Sequence, residues 1–61
     1  MIYSYSYTDS LGADHEGSDD DLTALAKSLL EALETESTAV KIYDEAGSVR
    51  GTVTPDGWHL A

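Results

Sequence analysis

Residues 18–36 read SDDDLTALAKSLLEALETE, and this stretch decides the fold because it is the one strongly helical segment of the chain. Its apolar residues recur at helical spacing and form a single stripe: Leu22, Leu25, Ala26, Leu29, Leu30 and Leu33. Ser18 and Asp21 have the spacing of a short capping box, while Asp19 and Asp20 add favourable charge to the first turn. A helix with one apolar stripe needs a second layer on which to bury it.

The segments on both sides of the helix predict that this second layer is a sheet. Residues 2–8 alternate strictly, which places Tyr3, Tyr5 and Tyr7 on one face of a strand. Residues 38–44 and 48–54 are rich in β-branched side chains, as strands usually are. Two short segments are weaker candidates, 13–17 as a return strand beside the tyrosines and 58–60 as a last strand.

The turns between these strands share one pattern. Residues 9–12 and 44–47 both read D-x-x-G, in which an acidic side chain opens the turn and a glycine closes it. For the second turn we expect Ile42 opposite Val49 and Val40 opposite Gly51, since this register keeps the apolar side chains on one face. Lys41, Tyr43, Arg50 and Thr52 are then expected together on the outer face.

The resulting expectation is a single α+β domain over residues 1–61. It has a small antiparallel sheet in the order of elements ββ-α-ββ, with an optional C-terminal strand, and one amphipathic helix on one face. The tyrosine stripe has two interpretations, half of the core or an exposed aromatic platform. Burial preference favours the core, and a platform for nucleic acid would need a basic groove.

Charge is the most informative feature for function. The chain carries 12 acidic and 3 basic residues, a net charge of -9, and residues 1–36 hold nine of the acids with Lys27 as their only basic residue. Such a balance disfavours direct binding to nucleic acid or to anionic membranes. The expected partner is therefore basic.

The residue types that carry catalysis or hold metals are few. There is no cysteine, which excludes disulfides and thiolate zinc sites. His15 lies between Asp14 and Glu16, but adjacent side chains on a strand point to opposite faces and cannot converge on one ion. We therefore expect no cofactor, no metal and no enzyme activity. The N-terminus lacks the pattern of a signal peptide, so the expected location is the cytoplasm.

In size, in its lack of cysteine and in the cluster DSLGADHEGSDDD (residues 9–21), followed by Glu31, Glu34 and Glu36, the chain resembles the small phage- and plasmid-encoded anti-CRISPR proteins and other DNA-mimic inhibitors. The resemblance implies a basic partner, such as a CRISPR effector or surveillance complex, blocked at its DNA-binding surface. The acidic surface expected to bind it comprises Asp9, Asp14, Glu16, Asp19, Asp20, Asp21, Glu31 and Glu34.

Two other hypotheses remain open on the sequence. The first is a small accessory or interaction domain, antitoxin-like or involved in plasmid maintenance, that binds through Tyr43, Arg50 and Trp58. The second is that the acids adapt the protein to a salt-rich cytoplasm. Either a monomer or a small homo-oligomer fits a chain of this length.

Overall fold

One helix packs against one face of a five-stranded antiparallel sheet, which confirms the predicted α+β fold. The structure is a computed structural model that describes all residues, 1–61. The elements are β1 (Tyr3–Thr8), β2 (Asp14–Asp19), α1 (Leu22–Ala32), β3 (Val40–Tyr43), β4 (Val49–Thr54) and β5 (Gly57–Leu60). The strands lie in the order β2-β1-β3-β4-β5, so β2 and β5 form the two edges.

The helix begins later than the sequence predicted. Asp21, not Ser18, is the N-cap, and its carboxylate accepts hydrogen bonds from the N–H groups of Thr23 and Ala24. Ser18 instead continues β2, which pairs with β1 along its whole length. The hydrogen bonds that Ser18 gains by extending β2 are thus favoured over a capping box at the start of α1. With 11 residues, α1 is the only helix, and no helix is long and apolar enough to cross a membrane.

The core lies between α1 and the sheet. Its seven buried apolar side chains come from the helix and from the central strands: Leu25, Ala26, Leu29, Leu33, Val40, Ile42 and Val53. The stripe of Tyr3, Tyr5 and Tyr7 packs half-buried against this cluster, as do Leu22, Leu30 and Trp58. The interpretation of the tyrosines as part of the core is therefore confirmed.

The register of β3 and β4 differs from the expected one. Ile42 lies opposite Gly51 and Val40 opposite Val53, two residues further along β4 than the sequence suggested. The ladder is then irregular, and Tyr43 pairs with Val49, so Arg50 is the extra residue of a β-bulge. The bulge turns Val49 away from the core, and its side chain is 43% exposed.

The face of the sheet opposite α1 is covered by nothing, and we call it the open face. Each strand alternates between the two faces, so the open face carries mainly hydroxyl and charged side chains. They are Ser4, Ser6 and Thr8 of β1, Asp14, Glu16 and Ser18 of β2, Lys41 and Tyr43 of β3, and Thr52 and His59 of β4 and β5.

Gly17 is required by the close approach of a tyrosine ring. A Cβ atom at position 17 would lie 2.7 Å from Cε2 of Tyr5, which pairs with Gly17 across the two strands. We expect Gly17→Ala to lower the free energy of unfolding by about 1–3 kcal/mol, because the half-buried ring must move out of its place. Urea unfolding measures this change.

The neighbouring residue supplies a matched control for that substitution. Ser18 is exposed and lies on the open face, so Ser18→Ala should change the stability by no more than about 0.5 kcal/mol. Equal stability of the two variants would contradict the packing of Tyr5 over Gly17.

Candidate functional site

Several of the acidic residues expected to bind a partner accept hydrogen bonds that stabilise turns. Asp9 opens the turn between β1 and β2, where its Oδ1 accepts hydrogen bonds from the N–H groups of Leu11 and Ala13, both at 2.9 Å. Its Oδ2 lies 2.7 Å from Nε2 of His15. The hydrogen bond to His15, aided by the one from Ala13, holds the pKa of the Asp9 carboxyl below its usual value.

His15 joins this turn to the tyrosine stripe. Its ring stacks on Tyr7 with the centroids 4.9 Å apart and the planes 18° from parallel, and burial raises the pKa of the Tyr7 phenol. The sequence analysis missed the contact with Asp9, although a D-x-x-G turn between paired strands indicates such a neighbour. Asp14 and Glu16 point to the open face, away from His15. These three side chains do not converge on one point. No group of three His, Asp or Glu side chains that could hold a metal ion is present.

The turn between β3 and β4 repeats this arrangement around Asp44. The Asp44 residue is only 9% exposed, and its Oδ1 accepts hydrogen bonds from the N–H groups of Ala46 and Ser48. Its Oδ2 lies 3.4 Å from Nη1 of Arg50. The bond from Ser48, ahead of those from Ala46 and Arg50, lowers the pKa of the Asp44 carboxyl.

The acidic run before α1 is also partly structural. Asp21 caps the helix, and Asp19 accepts a hydrogen bond from the N–H group of Asp21 at 2.9 Å, which lowers the pKa of Asp19. Only Asp20 of the three is exposed and free of such a role in the turn. Asp9, Asp19 and Asp21 therefore stabilise the fold whether or not they also touch a partner.

The other predicted acidic residues separate into two surfaces. Asp14 and Glu16 are exposed on the open face, where Asp14 also accepts a hydrogen bond from Oγ1 of Thr8 at 2.7 Å. Glu31 and Glu34 are exposed at the C-terminal end of α1, on the other side of the sheet. One flat partner surface cannot contact both pairs at once.

The alternative binding residues Tyr43, Arg50 and Trp58 do not share a face either. Trp58 packs half-buried against the core. The bulge takes Arg50 to the Tyr3 side of the sheet, where its guanidinium group lies 6.0 Å from the Tyr3 ring centroid. The expectation that Arg50 shares the outer face with Lys41 and Tyr43 is therefore wrong. Only Tyr43, which is 39% exposed, offers its ring to a partner.

Tyr43 belongs to an apolar patch that the sequence analysis missed. It pairs with Val49 on one side and with Ser4 on the other. Ile2 precedes β1 and is held at this end of the sheet by the hydrogen bond from its N–H to Oε1 of Glu45, at 2.6 Å. Ile2 is 47% exposed and Val49 43%. We call Ile2, Tyr43 and Val49 the apolar patch of the open face.

Comparison with known proteins adds no further information. No protein-family model, no curated protein and no solved structure matches the chain. The candidate site therefore rests on the geometry described above.

The lowered pKa of Asp44 predicts a loss of stability in acid. The native state binds the proton more weakly than the unfolded chain, so the contribution of Asp44 is complete above its usual pKa of 3.8 and is lost as the pH falls through the lower, native value. Asp44→Asn keeps an acceptor oxygen but cannot titrate. We expect urea unfolding to show the variant's stability deficit above about pH 5 and its disappearance towards about pH 2.

Asp56→Asn is the control for this experiment, because Asp56 is an exposed turn residue whose carboxylate makes no hydrogen bond in the structure. Its stability relative to the natural chain should stay nearly constant over the same range. A deficit for Asp44→Asn that does not change with pH would contradict the proposed role of the charge.

Proposed function

We propose that the protein is a non-enzymatic acidic inhibitor, which binds a basic nucleic-acid-binding protein in the place of its nucleic acid. A CRISPR effector or surveillance complex is the partner that the resemblance to anti-CRISPR proteins suggests. On this proposal the protein acts in the cytoplasm of a bacterial or archaeal host, where such a complex meets its DNA.

The observation that supports this proposal is the position of the acidic half of the chain. Residues 1–36 hold nine of the twelve acids and one of the three basic residues. They form β1, β2 and α1, and the two strands lie side by side with β2 at the edge. The sheet order thus places the acids of β1 and β2 next to each other along the β2 edge of a domain that measures 31 × 21 × 15 Å.

A charge distribution of this kind favours encounter with a basic protein. The net negative charge of the chain steers a positively charged surface towards it and raises the association rate, an effect that salt weakens. Direct contact with DNA or RNA is disfavoured, because the phosphates repel the same carboxylates. A protein whose binding site normally attracts phosphates would have the positive charge that complements these carboxylates.

The open face also supports a binding role over an enzymatic one. Most of its polar side chains carry hydroxyls, and the acidic or basic ones are Asp14, Glu16, Lys41 and His59. The hollows on this face are shallow. The one imidazole–carboxylate pair, His15 with Asp9, is tied into a turn and stacked on Tyr7. Asp9 and His15 thus stabilise the β1–β2 hairpin. The open face remains accessible to a partner protein.

The proposal predicts that nucleic acid and the protein compete for one site. The chain is immobilised, a host lysate is passed over it at about 50 mM salt, and bound proteins are identified by mass spectrometry. We expect basic nucleic-acid-binding proteins to be retained, and to be released by duplex DNA or by a rise to about 300 mM salt, where charges are screened within a few ångströms.

A charge-matched control separates this competition from non-specific attraction. A disordered peptide of the same net charge, immobilised at the same density, should retain such proteins only weakly. Retention that DNA does not reverse, or equal retention by the peptide, would contradict the proposed function.

A further inference from the structure

The open face combines three features that no other surface of the molecule combines. It holds the apolar patch of Ile2, Tyr43 and Val49, it holds the exposed carboxylate of Glu16, and no element of the chain covers it. The C-terminal end of α1 has carboxylates, but α1 turns its apolar stripe inward to the core. Leu11 is exposed as well, but it stands alone at the tip of a turn.

A shallow hollow lies beside the apolar patch. It is lined by the hydroxyls of Ser4, Ser6 and Ser18, the carboxylate of Glu16 and the ring of Tyr43. Hydroxyl oxygens and a carboxylate are acceptors that suit an ammonium or guanidinium group. The tyrosine ring at the rim offers its face to the same cation or to the aliphatic stem that carries it.

From this geometry we propose that the open face is the docking surface for the basic partner. A lysine or arginine side chain of the partner occupies the hollow beside Glu16, and an adjacent apolar side chain of the partner rests on Tyr43 and Val49. The proposal rests on the proposed function for the basic character of the partner, and it adds the surface and the side-chain pattern that the partner presents.

Charge complementarity selects this occupant over a second copy of the chain. Two copies meeting at their open faces would bring together two molecules of net charge -9, and each face carries the two carboxylates of Asp14 and Glu16 against the single ammonium group of Lys41. A basic surface instead neutralises these carboxylates. Desolvation of the apolar patch then contributes to holding the complex together after encounter.

The bulge at Arg50 is the structural feature that creates the patch. In an uninterrupted ladder, Val49 would share the face of Gly51 and Val53 and would be buried under α1. The bulge instead sets Val49 beside Tyr43 on the open face, while Arg50 is fixed by Asp44 on the other side. An aliphatic side chain turned outward in so small a core is a loss of burial that a docking surface explains.

The test uses the full chain labelled with nitrogen-15 and two short synthetic peptides of equal charge. Both consist of lysines around one central residue, which is leucine in one peptide and glycine in the other. We expect the amide resonances of Ser4, Ser6, Glu16 and Tyr43 to shift, and the leucine peptide to bind about fivefold more tightly, because it alone covers the apolar patch.

Two pairs of variants connect the result to the named side chains. Val49→Thr should abolish the preference for the leucine peptide, whereas Leu11→Thr, at an exposed leucine away from the face, should leave it intact. Glu16→Gln should weaken both peptides by a similar factor. Glu34→Gln, which removes the same charge from the helix side, should weaken them less.

Three results with the peptides would overturn this assignment: shifts centred on Asp20, Glu31 and Glu34, equal affinity of the two peptides, or absence of binding by both. Concentration-dependent shifts of the open-face resonances without peptide would instead identify this face as a homodimer contact, and would equally overturn it. Failure of DNA competition in the lysate experiment contradicts the inhibitor function alone, since the peptides report on the surface without any nucleic acid.

Discussion

One short helix has to supply the whole second layer of this fold. At about 1.5 Å per residue, an 11-residue helix extends over roughly 16 Å, and it covers only one face of the five strands. All seven buried apolar side chains of the core lie in that single interface. Every strand must therefore divide its side chains between an apolar side beneath α1 and a polar side facing water. The open face is uncovered because α1, the only helix, packs on the opposite face of the sheet.

The acidic residues form two groups that the structure distinguishes: those that accept backbone hydrogen bonds and those that are exposed without such a bond. Asp9, Asp21 and Asp44 accept backbone N–H groups at turns or at the helix start, where an ionised oxygen is a stronger acceptor than a neutral one. The exposed carboxylates of Glu16, Glu31 and Glu34 hold no part of the backbone. A net charge of -9 therefore overstates the charge that is free to meet a partner, and the free part is divided between two sides of the sheet.

The sequence was sufficient for features set by local patterns. Alternation, helical periodicity and the D-x-x-G turns predicted all the elements, including the short strand β5 and the return strand β2, and they placed Tyr3, Tyr5 and Tyr7 on the core side. The bulge was not predictable in this way, because Val49 and Gly51 have the alternation of a regular strand. The bulge places Arg50 next to Asp44 and the Tyr3 ring, and the alternation of β4 alone does not show these contacts. The apolar patch follows from that bulge, so it was missed with it.

The apolar patch bears on the three functional hypotheses in different ways. Adaptation to salt requires a hydrated acidic surface, and it gives no reason to turn Val49 outward beside Tyr43. Imitation of nucleic acid by charge alone gives no such reason either, since a phosphate backbone presents no aliphatic counterpart. A protein interface gives a reason for the exposed position of Val49, because charge accelerates encounter while desolvated apolar contacts slow dissociation. On the proposed function, the carboxylates of the open face and the apolar patch are thus complementary: the carboxylates would attract a basic partner, and the patch would slow its dissociation.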